Sequence, residues 1–130
     1  MDIAVWCVFI TFVLIYLPRP LAAFAAMQQE GRVDLAYPRQ QQARITGLGA
    51  RAQAAHLNTM EAFAPFAAAV WIAYHGGAET GLRDALAVSF VFTRVLFIGA
   101  YLANLNPWRT VVWTLGFLCV IGLFLSPLIG

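Results

Sequence analysis

"RAQAAHLNTMEAFAPFAAAVWIAY", residues 51–74, is the stretch that decides the fold. It runs without a break from a polar half into a membrane-grade apolar half, and it carries Arg51, Asn58 and Glu61 in a chain that otherwise avoids charge. On a helix turning about 100° per residue these three fall on one face together with Ala54 and Pro65, while His56 points almost to the opposite side. Facing lipid, such a polar line is costly, since an acidic residue at the centre of a span is unfavourable by ~2.5–3.5 kcal/mol even on a mild insertion scale. It must face protein or a wet cavity.

The rest of the chain makes lipid the relevant solvent. Of 130 residues, 62% are hydrophobic and 11% are charged, a balance that a soluble domain of this size has trouble hiding and that marks an integral membrane protein. Four apolar stretches, about 3–27, 51–74, 82–104 and 108–128, each approach the ~20 residues a helix needs to cross a ~30 Å hydrocarbon core. The expected fold is all-α, a bundle of four transmembrane helices in two hairpins that fill residues 1–130 as one domain. "LAAFAA" at 21–26 offers small residues at a cleavage-like spacing, but Asp2 and the lack of a basic start argue against a signal peptide. The first stretch is therefore expected to be a permanent span. Cys7 and Cys119 both fall within spans and read as small apolar fillers.

All eight basic side chains are arginines, and their placement predicts orientation. Arg32, Arg39 and Arg44 follow the first span, Arg51 opens the second and Arg109 follows the third. Both termini are thus expected to face away from the cytoplasm. Pro18 and Pro20 around Arg19 predict a kink, with Arg19 ~24 Å along the helix and reaching the inner interface as a headgroup anchor. Pro38 suits a helix first turn, so the second helix is expected to begin near Arg39 and project from the bilayer. Trp6, Trp71, Tyr74 and Trp108 fit interfacial belts, and "APFAAAV" permits close helix packing.

The third span offers a second polar line. Arg94, Phe97 and Tyr101 are spaced for one helical face, with Asn104 at its inner end. Glu61 lies ~15 Å inward from Arg51, and Arg94 lies ~15 Å inward from Asn104 on an antiparallel helix, so carboxylate and guanidinium sit at equal depth. Glu61 and Arg94 are expected to pair, within one subunit or across an interface. A purely structural role for that pair, an interhelical bond for Asn58 and interfacial anchoring for Arg51, Tyr101 and Arg109 stand beside any functional reading.

These residues resemble a known pattern. "RAQAAHLNTMEAFAPF" is similar to the second-helix signature of the MAPEG superfamily, the membrane-associated proteins of eicosanoid and glutathione metabolism, in which Asn is followed three residues later by Glu and then by an aromatic and Pro-Phe. "RVLFIGAYLANLNPWRT" resembles that family's third-helix Arg and Tyr and the Arg-Ser or Arg-Thr opening its fourth helix. The nearest likeness is to small bacterial members. The resemblance implies a homotrimer of four-helix subunits, here in a bacterial inner membrane, with glutathione held at the subunit interface near the cytoplasmic side. It carries over Arg51, Asn58, Glu61 and Arg94 as glutathione-binding residues and Arg109 and Tyr101 as catalytic ones. Ala54 stands where catalytic members usually have Arg, and Phe97 where they often have His or Tyr.

Two functions follow. One is a glutathione-dependent transferase or peroxidase acting on lipophilic electrophiles, in which Arg109 stabilises the thiolate and Tyr101 orients it. The other is a non-catalytic trimer whose groove binds lipid or a membrane partner. A transporter fits less well, because neither an inverted repeat nor a broken central helix is evident. No metal and no nucleic-acid partner are expected.

Overall fold

Pro18 and Pro20 have no amide hydrogen to give to the carbonyls of Leu14 and Tyr16, so the first helix cannot run through them unbroken. In the computed structural model, which describes residues 2–129, helix α1 (Ile3–Tyr16) stops there and α2 (Arg19–Glu30) restarts. The hydrogen-bonded helix is interrupted at the prolines, while Leu17 and Pro18 keep right-handed helical backbone angles. His56 of the facing helix donates through Nδ1 to the Ile15 carbonyl at 2.6 Å, next to the break, which gives the buried imidazole its structural role.

α2 ends at Gly31, whose left-handed backbone (φ 77°) turns the chain while its amide bonds the Met27 carbonyl. Helix α3 (Pro38–Arg44) begins with Pro38 in its first turn, as expected, but does not continue into the bilayer. Ile45 and Thr46 are extended, and α4 (Gly47–His75) starts afresh. The break corrects the expectation of one helix from Arg39 onward. Gln29 explains it, since its side-chain oxygen accepts from the Thr46 amide and its nitrogen donates to the Thr46 carbonyl, both at 3.1 Å. These bonds replace those a continuous helix would make.

α5 (Thr80–Leu102) and α6 (Trp108–Ile129) complete the bundle, with no strand among the described residues. Three helical units are long and apolar enough to cross a membrane: α1 with α2, α5, and α6. α4 has 29 residues, ~43 Å of helix, but Arg51, Gln53, His56, Asn58 and Glu61 leave its composition outside that class. Glu79 caps α5 by accepting from the amides of Gly81 and Leu82 at 2.8 and 2.7 Å, and these bonds hold its carboxyl below the usual range.

The core lies where α4, α5 and α6 meet α1. Phe66 and Phe90 stack at 3.9 Å, and Ala69, Val70 and Ala73 from the small-residue run let the helices close around them. Cys7 and Cys119 pack in or against this cluster as unpaired thiols. At the end of the core where α1 begins, Arg83, only 5% exposed, bonds Asp2 at 3.1 Å and Asp84 at 3.2 Å and lies over the Tyr74 ring. It thereby joins the starts of α1 and α5 to the end of α4.

Arg19, expected as a headgroup anchor, also has a partner within the chain. Its Nη1 donates to Gln53 Oε1 at 2.7 Å, and Gln53 Nε2 donates to Gln42, a polar chain linking α2, α4 and α3. Above it the α2–α4 seam is so tight that a Cβ at Gly49 would overlap Ala25 Cβ and Ile45 Cγ2. Gly49→Val is expected to cost ~1–3 kcal/mol through overpacking, read as a lower unfolding temperature of the purified protein in detergent. An unchanged temperature would show that the seam is not close-packed.

Candidate functional site

Two adjoining hollows that share Asn58 and Trp113 form a groove along α4, α5 and α6, and side chains at helical spacing build each wall. Asn58, Glu61, Ala62 and Pro65 come from α4, Phe90 and Arg94 from α5, and Trp113, Phe117 and Val120 from α6. They enclose a cavity of about 260 Å³. Toward the turn between α5 and α6, Asn58 and Trp113 also line a recess of about 210 Å³ with Phe97, Tyr101, Arg109 and Thr110. The two sections share their dividing residues. From Tyr101 to Phe90 the groove extends ~16 Å by helix rise, from a cationic mouth to an aromatic and aliphatic depth.

Arg94 sets the electrostatics. It is 3% exposed and makes one hydrogen bond, from Nη1 to Asn58 Oδ1 at 2.8 Å. Its Nε is the one buried side-chain polar atom without a partner among the described residues. The guanidinium lies 4.5 Å from the Phe97 ring centre and 5.7 Å from that of Phe90, so aromatic faces supply part of the negative potential a carboxylate would give. A buried donor left unsatisfied costs ~1–3 kcal/mol, more when charged.

The predicted partner of Arg94 does not take that role within the chain. No ion pair joins Glu61 and Arg94 among the described residues; Asn58, one helical turn earlier, accepts the bond instead, and Glu61 is exposed at the groove's edge. The matching of depths does hold, because both residues line the same cavity. Arg109 lies over the Tyr101 ring at 4.4 Å, which brings the two expected catalytic side chains together. Arg51 stands apart. Its Nε donates to the Leu102 carbonyl at 3.2 Å, where a cation meets the free carbonyls and negative end of α5.

Five of the six expected site residues thus line one groove, and Arg51 is a helix-end anchor outside it. Phe97 fills the space between Arg94 and Tyr101, packing edge-on to the tyrosine at 5.5 Å. Sequence reasoning missed Trp113 and Phe117, whose rings stack at 5.3 Å to form the α6 wall. The signal was available, since Arg109, Trp113 and Phe117 recur every four residues on one face.

Asn58→Ala is expected to leave Arg94 with no polar partner and to destabilise the protein by ~2–4 kcal/mol. Combined with Arg94→Leu, the double variant should cost less than the sum of the two single changes. Additive losses of melting temperature would show that the two side chains are uncoupled.

No curated protein and no solved structure matches the chain. The sequence pattern of the MAPEG family matches residues 3–129, nearly the whole length, including every residue of the groove. The protein is therefore a membrane protein and belongs to the MAPEG family.

Proposed function

We propose that the protein is a glutathione-dependent transferase or peroxidase that acts on lipophilic electrophiles, with its groove completed at the interface of a homotrimer. Support comes first from Arg94, a buried cation with one neutral partner and an unsatisfied Nε on a cavity that also holds Asn58 and Glu61. Glutathione carries two carboxylates and an ammonium, and the groove supplies two arginines and one carboxylate. Arg94 receives a carboxylate, Glu61 the ammonium and Asn58 the peptide amide.

In this reading α4 is a fourth span. Its polar face then meets the groove and a neighbouring subunit, which removes Glu61 from lipid. Both termini lie away from the cytoplasm in a bacterial inner membrane, and the arginine-rich end faces inward.

The thiol reaches the recess beside Arg109 and Tyr101. Its proton leaves to water, and the guanidinium stabilises the resulting thiolate. The sulfur forms a bond to the electrophilic carbon as the leaving group departs with its electron pair. The lipophilic body of the substrate lies against Phe90, Trp113 and Phe117, within reach of the bilayer from which it partitions.

A second reading, a non-catalytic trimer whose groove binds lipid, gains support from Arg51, which is engaged at Leu102, and from apolar Phe97 in place of a polar residue.

Calorimetric titration with glutathione separates the two, followed by conjugation of 1-chloro-2,4-dinitrobenzene with release of chloride. Saturable heat and a raised melting temperature are expected. Their absence would remove the enzyme reading in favour of the lipid-binding one. Arg94→Leu should raise KM ~30-fold or more, the loss expected for a buried carboxylate contact. Arg109→Leu should lower kcat and move the rise of the pH–rate profile to higher pH, because the thiolate loses its cation. An unshifted profile would exclude Arg109 as its stabiliser.

A further inference from the structure

The segment between α2 and α3 is a rigid loop that shows its apolar side outward. Gln41, 3% exposed, is its internal brace. Its Oε1 accepts from the Asp34 amide at 2.8 Å, and its Nε2 donates to the Arg32 carbonyl at 2.7 Å. The Asp34 carboxylate accepts in turn from the amides of Ala36 and Tyr37, bonds that hold it below the usual carboxylate range. Arg44 pins the far side to Glu30 with two bonds at 2.9 and 2.8 Å. With its backbone fixed in this way, the loop leaves Leu35 88% exposed and Tyr37 62% exposed.

The loop also folds back toward the bilayer. Val33, Asp34 and Leu35 line the same small cavity as Arg19, Ala22 and Gln53, although Glu30, the residue just before the turn, lies ~17 Å further along the helix than Arg19. The apolar tip is thus returned alongside α2 toward the depth where that helix leaves the hydrocarbon. Its flanks are cationic. Arg32 meets a carboxylate only at 3.8 Å with its side chain 76% exposed, and Arg39 bonds only the neutral Gln42.

We infer that this loop is an interfacial anchor for anionic phospholipid, with Leu35 and Tyr37 entering the boundary of the acyl chains and Arg32 and Arg39 meeting lipid phosphates. Apolar side chains flanked by arginines suit the zone where hydrocarbon gives way to headgroups. The charge selects lipid over protein as the occupant. A second copy in a ring about the membrane normal brings the same arginine-rich end alongside, and like charges oppose that contact. An anionic leaflet complements it, each arginine near the surface raising partition about fivefold. The inference does not depend on glutathione chemistry.

The test uses the full chain in lipid vesicles. Cys7 and Cys119 are replaced by alanine, and Leu35→Cys carries a polarity-sensitive fluorophore, with Gln40→Cys on exposed α3 as a control. In vesicles of phosphatidylcholine with phosphatidylglycerol, the label at 35 should emit to the blue of the control and be quenched by lipids carrying a nitroxide near the glycerol. Arg32→Gln with Arg39→Gln should reduce that quenching, and so should vesicles of phosphatidylcholine alone. Two outcomes would overturn the anchor: a label at 35 as water-exposed as the control, or one shielded equally in detergent and in vesicles without nitroxide quenching, the sign of a protein neighbour. Quenching equal in neutral and anionic vesicles would overturn the preference for anionic lipid.

Discussion

A guanidinium buried in a membrane protein must find acceptors, because hydrocarbon offers none. Arg94 is the residue on which this requirement falls hardest. Within its own chain it reaches one amide oxygen and two aromatic faces, and its Nε remains unsatisfied. The rest of the groove is arranged around that deficit. Asn58 fixes one edge of the guanidinium, Phe97 and Phe90 enclose it, and the open side gives onto the cavity bordered by Glu61.

The packing beneath it explains how such a site is held. Small residues of α4 allow α1 and α5 to close around Phe66 and Phe90, so Arg94 stands one turn above a rigid aromatic stack. At one end of the bundle Arg83 joins three helix termini; at the other Arg51 caps α5. The arginines divide by partner. Arg44 and Arg83 have carboxylates at hydrogen-bond distance, and Arg51 has a carbonyl. Arg94 and Arg109 have chiefly rings and neutral groups, and these two line the groove.

Much of this was legible in the sequence, and for definite reasons. Helical spacing put Asn58 and Glu61 on one face and Arg94 and Tyr101 on another, and equal depth brought both faces to one cavity. The proline pair located the α1–α2 break. Other features depend on contacts that spacing does not encode. Which carbonyl oxygen within reach Arg94 chooses, Asn58 rather than Glu61, is a matter of one helical turn and of side-chain reach. Arg51 shares the polar stripe but is drawn off by the end of α5, a partner fifty-one residues away. The break at Ile45 is held by Gln29 on another helix, while Thr46 at the N-cap of α4 and Gly47, left-handed at φ 64°, are its local signals.

The central proposal is that Arg94 receives an anion from outside its own chain, a carboxylate of glutathione. The most direct measurement is a solid-state NMR dipolar-dephasing experiment on the lipid-reconstituted protein, with ¹⁵N-arginine and carboxyl-¹³C glutathione. The prediction is a coupling from one bound carboxyl carbon to Arg94 Nε or Nη, at a separation set by an N···O contact of about 2.7–2.9 Å, that is lost in Arg94→Leu. Persistence of the coupling in Arg94→Leu, or no coupling at saturating glutathione, would contradict it.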